Sequence, residues 1–141
     1  MEFYTYNARS HILTVGTDLI TGFADGTGIS IAWESNRTSD KAGIYGDVAV
    51  SELNDLRATA TITLLSTANS NVALNRRAEF RVYGPFELRT VEGDLAVFSP
   101  WCWIQKLPDV NVDAEVPNNA WEVRLSEAKI KMLPQPLPVA G

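Results

Sequence analysis

The chain carries one histidine, His11, and one cysteine, Cys102, and these two scarcities remove most catalytic and metal-binding options. A lone cysteine makes no intramolecular disulfide, and two possible soft ligands cannot complete the four-ligand shell of a structural zinc. Positive charge is also short: 12 Lys and Arg against 17 Asp and Glu leave a formal net charge of -5. Proteins that grip nucleic acid through its phosphates need clustered positive charge, so this balance opposes such binding. No apolar run approaches the roughly 20 residues of a membrane-spanning helix. The opening Met1-Glu2-Phe3-Tyr4-Thr5-Tyr6 lacks the basic and apolar regions of a signal peptide. The expectation is a protein made in the cytoplasm, with no membrane partner and no cofactor or metal. What remains is ordinary globular material, 141 residues with 45% hydrophobic and 21% charged side chains, read as one domain over 1–141.

The dominant signal is alternation with period two. In residues 57–65 the apolar set Ala58, Ala60, Ile62 and Leu64 is interleaved with Thr59, Thr61 and Thr63. Successive strand side chains point to opposite faces, so this is a half-buried strand with a face of small hydroxyls. Further strands are expected at 11–15, 28–33, 47–52, 86–91, 95–98 and 101–106, with a tight turn at Glu92-Gly93-Asp94. Residues 121–132 read as a strand with a phase slip: Trp121, Val123 and Leu125 are odd, whereas Ala128, Ile130 and Met132 are even. One extra residue near Ser126-Glu127 would restore a single apolar face, as a β-bulge does. Residues 70–79 lack alternation and read as a short helix, capped by Ser66 or Ser70, with Arg76 and Arg77 at its C-terminal dipole end. Residues 35–46 and 109–120 read as long polar loops. The tail 133–141 carries Pro134, Pro136 and Pro138, which cannot donate to a sheet, and is expected as an extended arm beyond the domain; residues 1–9 form the opposite terminal segment. The fold class is mainly β, a β-barrel or β-sandwich with one short flanking α-helix.

No motif assembles a chemistry. Asp109-x-Asn111-x-Asp113-x-Glu115 opens like a calcium loop, but Ala114 stands where Gly is required and Ala120 where a bidentate Glu is expected. Asn36-Arg37-Thr38 fits a glycosylation acceptor by chance. His11 reads as a partly buried strand residue and Cys102 as a small core hydrophobe. Trp33, Trp103 and Trp121 are assigned to core faces, and Trp101 to the opposite, exposed or interfacial face. A carbohydrate platform built on Trp101 and a second exposed aromatic is the alternative from another functional class.

Several segments in order resemble a family of phage tail proteins. These are Thr21-Gly22-Phe23-Ala24-Asp25-Gly26, residues 46–55 (Gly-Asp-Val-Ala-Val-Ser-Glu-Leu-Asn-Asp), residues 63–71 leading to Leu74, residues 103–109 (Trp-Ile-Gln-Lys-Leu-Pro-Asp) and Trp121-Glu122-Val123. Their order and spacing over about residues 10–132 resemble the tail tube proteins of tailed bacteriophages, of the KTN or Mu-like small structural type. The resemblance implies a tail-tube-type β-barrel or β-sandwich whose copies join into hexameric rings. It implies rings stacked into a tube that conducts dsDNA without specific binding, in a virion tail assembled in the host cytoplasm. Implied partners are baseplate and terminator proteins, and a sheath if the tail contracts; a baseplate hub or tube initiator, or a secretion-tube subunit, would share the architecture. No catalytic residue is carried over. Contacts between rings or subunits are expected at Asn36, Arg37, Lys41, Ile44, Tyr45, Trp101, Pro134 and Pro136. Glu52, Asp55, Thr59, Thr61, Thr63 and Glu122 are expected at the lumen.

Overall fold

A computed structural model describes residues 11–24, 28–90, 95–112 and 114–132. In chain order the elements are β1 (His11–Val15), β2 (Asp18–Ile20), β3 (Ile29–Trp33), β4 (Thr38–Ala42), β5 (Val48–Glu52), β6 (Ala58–Leu65), α1 (Ser70–Glu79), β7 (Gly84–Thr90), β8 (Leu95–Lys106), β9 (Asn118–Leu125) and β10 (Lys129–Met132). The main sheet is antiparallel in the order β2-β1-β7-β8-β9-β6-β3, with β10 also pairing β8. Beyond Ile20 the chain crosses from the β2 edge to β6. There Phe23 bridges Leu64, Leu65 N donates to Gly22 O at 3.0 Å and Ala24 N donates to Thr63 O at 3.1 Å. This segment links the β2 end of the sheet to β6 near its other end, with Ala24 buried and Phe23 packed against the core.

The alternating face of β6 is buried as its sequence predicts: Ala58, Ala60, Ile62 and Leu64 are fully inside, and the three threonines are half-exposed. Facing them in the core are Leu13 and Val15 of β1, Phe86 and Leu88 of β7, Val97 and Cys102 of β8, and Trp121, Val123 and Leu125 of β9. The helix forms over the expected residues and inserts Leu74 into this cluster. Its capping differs from expectation. Asn69 is the N-cap and makes no side-chain cap bond, while Ser70 Oγ accepts the Thr21 N–H at 2.9 Å. Asn71 takes over the tethering: its Nδ2 donates to Leu65 O at 2.8 Å and to Ala68 O at 3.0 Å, and its Oδ1 accepts Trp121 Nε1–H at 2.9 Å.

The phase slip after Trp121 is resolved as two strands rather than one. β9 ends at Leu125 and β10 begins at Lys129, and both lie along β8. At the same height β8 carries its own extra residue, because Gly84 faces Cys102 while Phe86 faces Ser99. Ser99 is fully buried here; its Oγ–H donates to Trp101 O at 2.9 Å and accepts Glu127 N–H at 3.4 Å. Matching irregularities on neighbouring strands bend the wall at one level, since bulges increase local twist. The two short strands expected at 95–98 and 101–106 are therefore one bent strand. Beyond the bend the even-numbered face of β10 leaves the core: Ile130 is 38% exposed and Met132 71%.

The tryptophan assignment is corrected as well. Trp101 and Trp103 are two residues apart and share a face, while Cys102 between them points inward. Trp101 is 57% exposed, as expected. Trp103 is half-buried outside the core, by an edge-on contact with Tyr83 at 5.9 Å between ring centroids. Strand β2 was not legible in sequence, being only three residues long.

Candidate functional site

Among the described residues no group of three His, Cys, Asp or Glu is placed to hold a metal ion, and no helix is long and apolar enough to cross a membrane. Cys102 is 1% exposed, its Sγ donates to Pro85 O at 3.7 Å, and burial pushes its pKa up to about 11. A thiol so placed stays protonated at neutral pH. Alkylation of the native protein at mild alkaline pH is expected to run at least about tenfold slower than in denaturant. Equal rates would refute the burial.

Four exposed regions are left as candidate surfaces. The first is a correction: residues 35–46 are not a loop. Thr38–Ala42 pairs with Val48–Glu52 to form a separate two-stranded ribbon, an arm whose ten strand residues are all exposed. Gly46, at φ 89°, supplies the left-handed turn that puts Ile44 and Tyr45 at the tip, 92% and 94% exposed. Strand β4 (Thr-Ser-Asp-Lys-Ala) has no hydrophobic alternation, so only its pairing reveals it. The register places Asp40 opposite Val50, Ala42 opposite Val48 and Thr38 opposite Glu52, which share one face; Lys41 lies on the other, opposite Ala49. Of the expected contact residues, Lys41, Ile44 and Tyr45 lie on this arm, and Asn36 and Arg37 at its root. Pro134 and Pro136 lie outside the described residues.

The root is pinned. Asp55 accepts Ser35 Oγ–H at 3.1 Å and Arg57 N, Nε and Nη2 at 3.1, 2.9 and 2.8 Å. Leu53 N also donates to Arg37 O at 2.8 Å. The Arg57 bonds hold the Asp55 carboxyl far below the usual carboxylate range. A depressed folded pKa means the bond set is fully present above the ordinary value of 3.8 and is lost as pH falls through the lower, folded value. The stability difference between parent and Asp55→Asn is therefore expected to shrink below about pH 4 and to be constant above about pH 6. A difference that does not change with acidification in urea melts would contradict this.

The second region is the outer face of β3, β6, β9 and β8. It brings together Thr59, Thr61, Thr63 and Glu122, four of the six expected lumen residues: Thr61 faces Glu122 across the strands and Thr59 faces Arg124. Glu52 and Asp55 do not join them, because one lies on the arm and the other at its root. The face is also not purely acidic. Lys106 lies opposite Glu122, and Arg124 pairs with Glu34 and donates to Thr59 Oγ1 at 3.1 Å. A shallow depression of about 230 Å³ among Thr61, Lys106, Asp109, Asn118 and Glu122 borders it.

The third region is the β8–β9 connection, with Val110 and Val112 exposed at 90% and 94%. Residues 118–120, expected as part of this loop, belong to β9. Asp113 lies outside the described residues. The fourth is the end of α1. The chain leaves the helix through Arg81 at φ 51°, with Arg81 N bonded to Ala78 O at 3.4 Å and Val82 N to Arg77 O at 3.0 Å. This is the helix-ending pattern that normally places glycine at the left-handed position. The sequence reading missed Phe80, Val82 and Tyr83 as a surface; the signal was the absence of glycine after the helix.

In fold, the chain is similar to the anti-feeding prophage cap, a tube-terminating cap, with a TM-score of 0.62 and 11% identity over 93% of each chain. It is similar to the sheath/tube terminator of an extracellular contractile injection system, PVC, in the extended state, with a TM-score of 0.62 and 9% identity over 92% of this chain and 98% of that one. A chain from the virion of a native gene transfer agent particle also matches at a TM-score of 0.62, with 13% identity over 92% of this chain and 100% of that one. At such identities the likeness is one of fold. No protein-family model and no curated protein matches the sequence. The finer KTN or Mu-like type is thus left without a family match.

Proposed function

We propose that the protein is a structural subunit of a phage-like tail, a ring-forming component of the tail tube whose copies surround a DNA-conducting lumen. The observation that carries this reading is the end-to-end likeness to chains of tube-cap, sheath/tube-terminator and particle structures, with almost the whole of both chains superposed. Two properties of this chain support it. Its outer β3-β6-β9-β8 face is hydroxyl-rich and mixed in charge, through Thr59, Thr61, Thr63, Glu122, Lys106 and the Arg124–Glu34 pair. Such a surface offers phosphates no concentrated attraction and suits passage rather than binding. Its arm is exposed along both strands, where neighbouring copies or sheath, baseplate and terminator proteins would meet it.

A second reading, a ring that ends the tube, is favoured by the description of two of the similar structures as terminators or caps. Negative-stain micrographs of purified protein separate the two: a tube subunit gives long tubes and a terminator gives single rings. A protein that sediments as a monomer at every concentration tried would overturn both. The carbohydrate platform has less support, since among the described residues the aromatic ring contact is between Tyr83 and Trp103 and does not include Trp101.

A further inference from the structure

The outward stripe of α1 carries Val72, Arg76 and Phe80 at helical spacing and continues into Arg81, Val82 and Tyr83. Val72, Phe80 and Tyr83 are 61%, 69% and 60% exposed. Within it Arg81 occupies the left-handed position, which costs any residue with a β-carbon and favours glycine. Among the described residues Arg57, Arg77, Arg89 and Arg124 each hold a carboxylate, whereas Arg37, Arg76 and Arg81 hold none. A charged side chain kept at a strained position without an internal partner points to a partner outside the fold.

The arm has the complementary composition. One face of its ribbon presents Val48 and Val50, each 61% exposed, together with Asp40 and Glu52, while Lys41 is on the reverse. An isolated two-stranded ribbon is marginally stable in water, so this face needs a cover. The two surfaces also lie on opposite flanks of one wall at the same level. Trp33, where the chain leaves for the arm, is in register with Ala58, Leu125, Cys102 and Gly84, the residue that follows Tyr83. Four inter-strand spacings of about 4.8 Å separate them. Different surfaces on opposite flanks make a head-to-tail contact, which closes into a ring when the rotation allows.

We infer that the β4–β5 arm of one copy docks on the end of α1 of the next copy. Val48 and Val50 cover Phe80, Val82 and Tyr83, and Arg81 and Arg76 meet Asp40 and Glu52. The inference rests on the self-assembly proposed above and names its partner surface.

The decisive variant is Arg81→Gly. It relieves the backbone strain, so the thermal midpoint of the isolated chain rises, while self-association in sedimentation velocity weakens at least about tenfold. A purely structural role for Arg81 would not move those two readouts in opposite directions. Arg81→Glu abolishes assembly, and adding Asp40→Arg with Glu52→Arg restores it. Val50→Asp, with the arm face broken, and Arg81→Glu, with the helix end broken, each remain monomeric, but a mixture of the two gives dimers through the one intact pair of surfaces. Assembly of Arg81→Glu at the parent concentration, or a mixture that stays monomeric while the parent assembles, would overturn this docking and leave the ring-forming function standing. A monomeric parent would overturn the function itself.

Discussion

Trp121→Ala is expected to lower the free energy of unfolding by about 3–5 kcal/mol, the range for emptying a large buried aromatic site. Trp121 is 3% exposed and lies opposite Ile62 in the middle of the β6–β9 pairing. The cavity left would border Leu74, so the contact between sheet and helix would loosen together with the core. The indole also carries the bond to Asn71 Oδ1, and Asn71 in turn ties the β6–α1 corner through Leu65 O and Ala68 O. Trp121→Phe keeps an aromatic ring but loses the bond and part of the packing, at about 1–3 kcal/mol. Asn71→Ala strands the indole N–H and carbonyls of the corner, at about 1–3 kcal/mol. Urea unfolding of the two single variants and the double variant measures the coupling. Additive losses would show that the hydrogen bond does not link helix to sheet.

Gly16→Ala is expected to cost about 2–4 kcal/mol, from left-handed backbone strain of roughly 1–2 kcal/mol and the loss of an ion pair whose arginine is buried and whose aspartate is partly exposed. Gly16 sits at φ 65° in the β1–β2 turn, and a β-carbon there would lie 2.1 Å from Arg77 Nη2. That guanidinium is only 10% exposed and donates from Nε to Asp18 Oδ2 at 2.8 Å, fastening α1 to the turn. It could swing out, but only by giving up Asp18. Gly84 approaches from the other side, its own β-carbon position being 3.1 Å from Gly16 Cα. Three comparisons divide the effect. Gly16→Asn, which tolerates the left-handed region, should recover part of the backbone cost but not the clash. Arg77→Ala alone removes the pair. In the Arg77→Ala background, Gly16→Ala should cost only the backbone share. If Gly16→Ala melts at the parent temperature, the glycine is not required by this contact.

Much of the barrel was legible because burial of one sheet face writes itself as period two. The faces of β6 and β9, the extent of α1 and the irregularity near Ser126-Glu127 all follow from residue order alone. So does the exclusion of an intramolecular disulfide, since a single Cys is a property of composition. The arm was not legible, because a ribbon exposed on both faces has no hydrophobic period and β4 exists only through its bonds to β5. The set expected at a lumen was gathered only in part: the threonines of β6 and Glu122 share a face by local geometry and pairing, but Glu52 and Asp55 are carried elsewhere by the chain's path. Trp103 was expected in the core on the face opposite Trp101, but two residues apart in one strand they share the outer face, and only Cys102 between them points inward. Local sequence determined which residues alternate and which turn. Tertiary structure decided which strands became neighbours, and with that the one flank that carries an unpaired arm and the opposite flank that carries an arginine where a glycine would fit more easily.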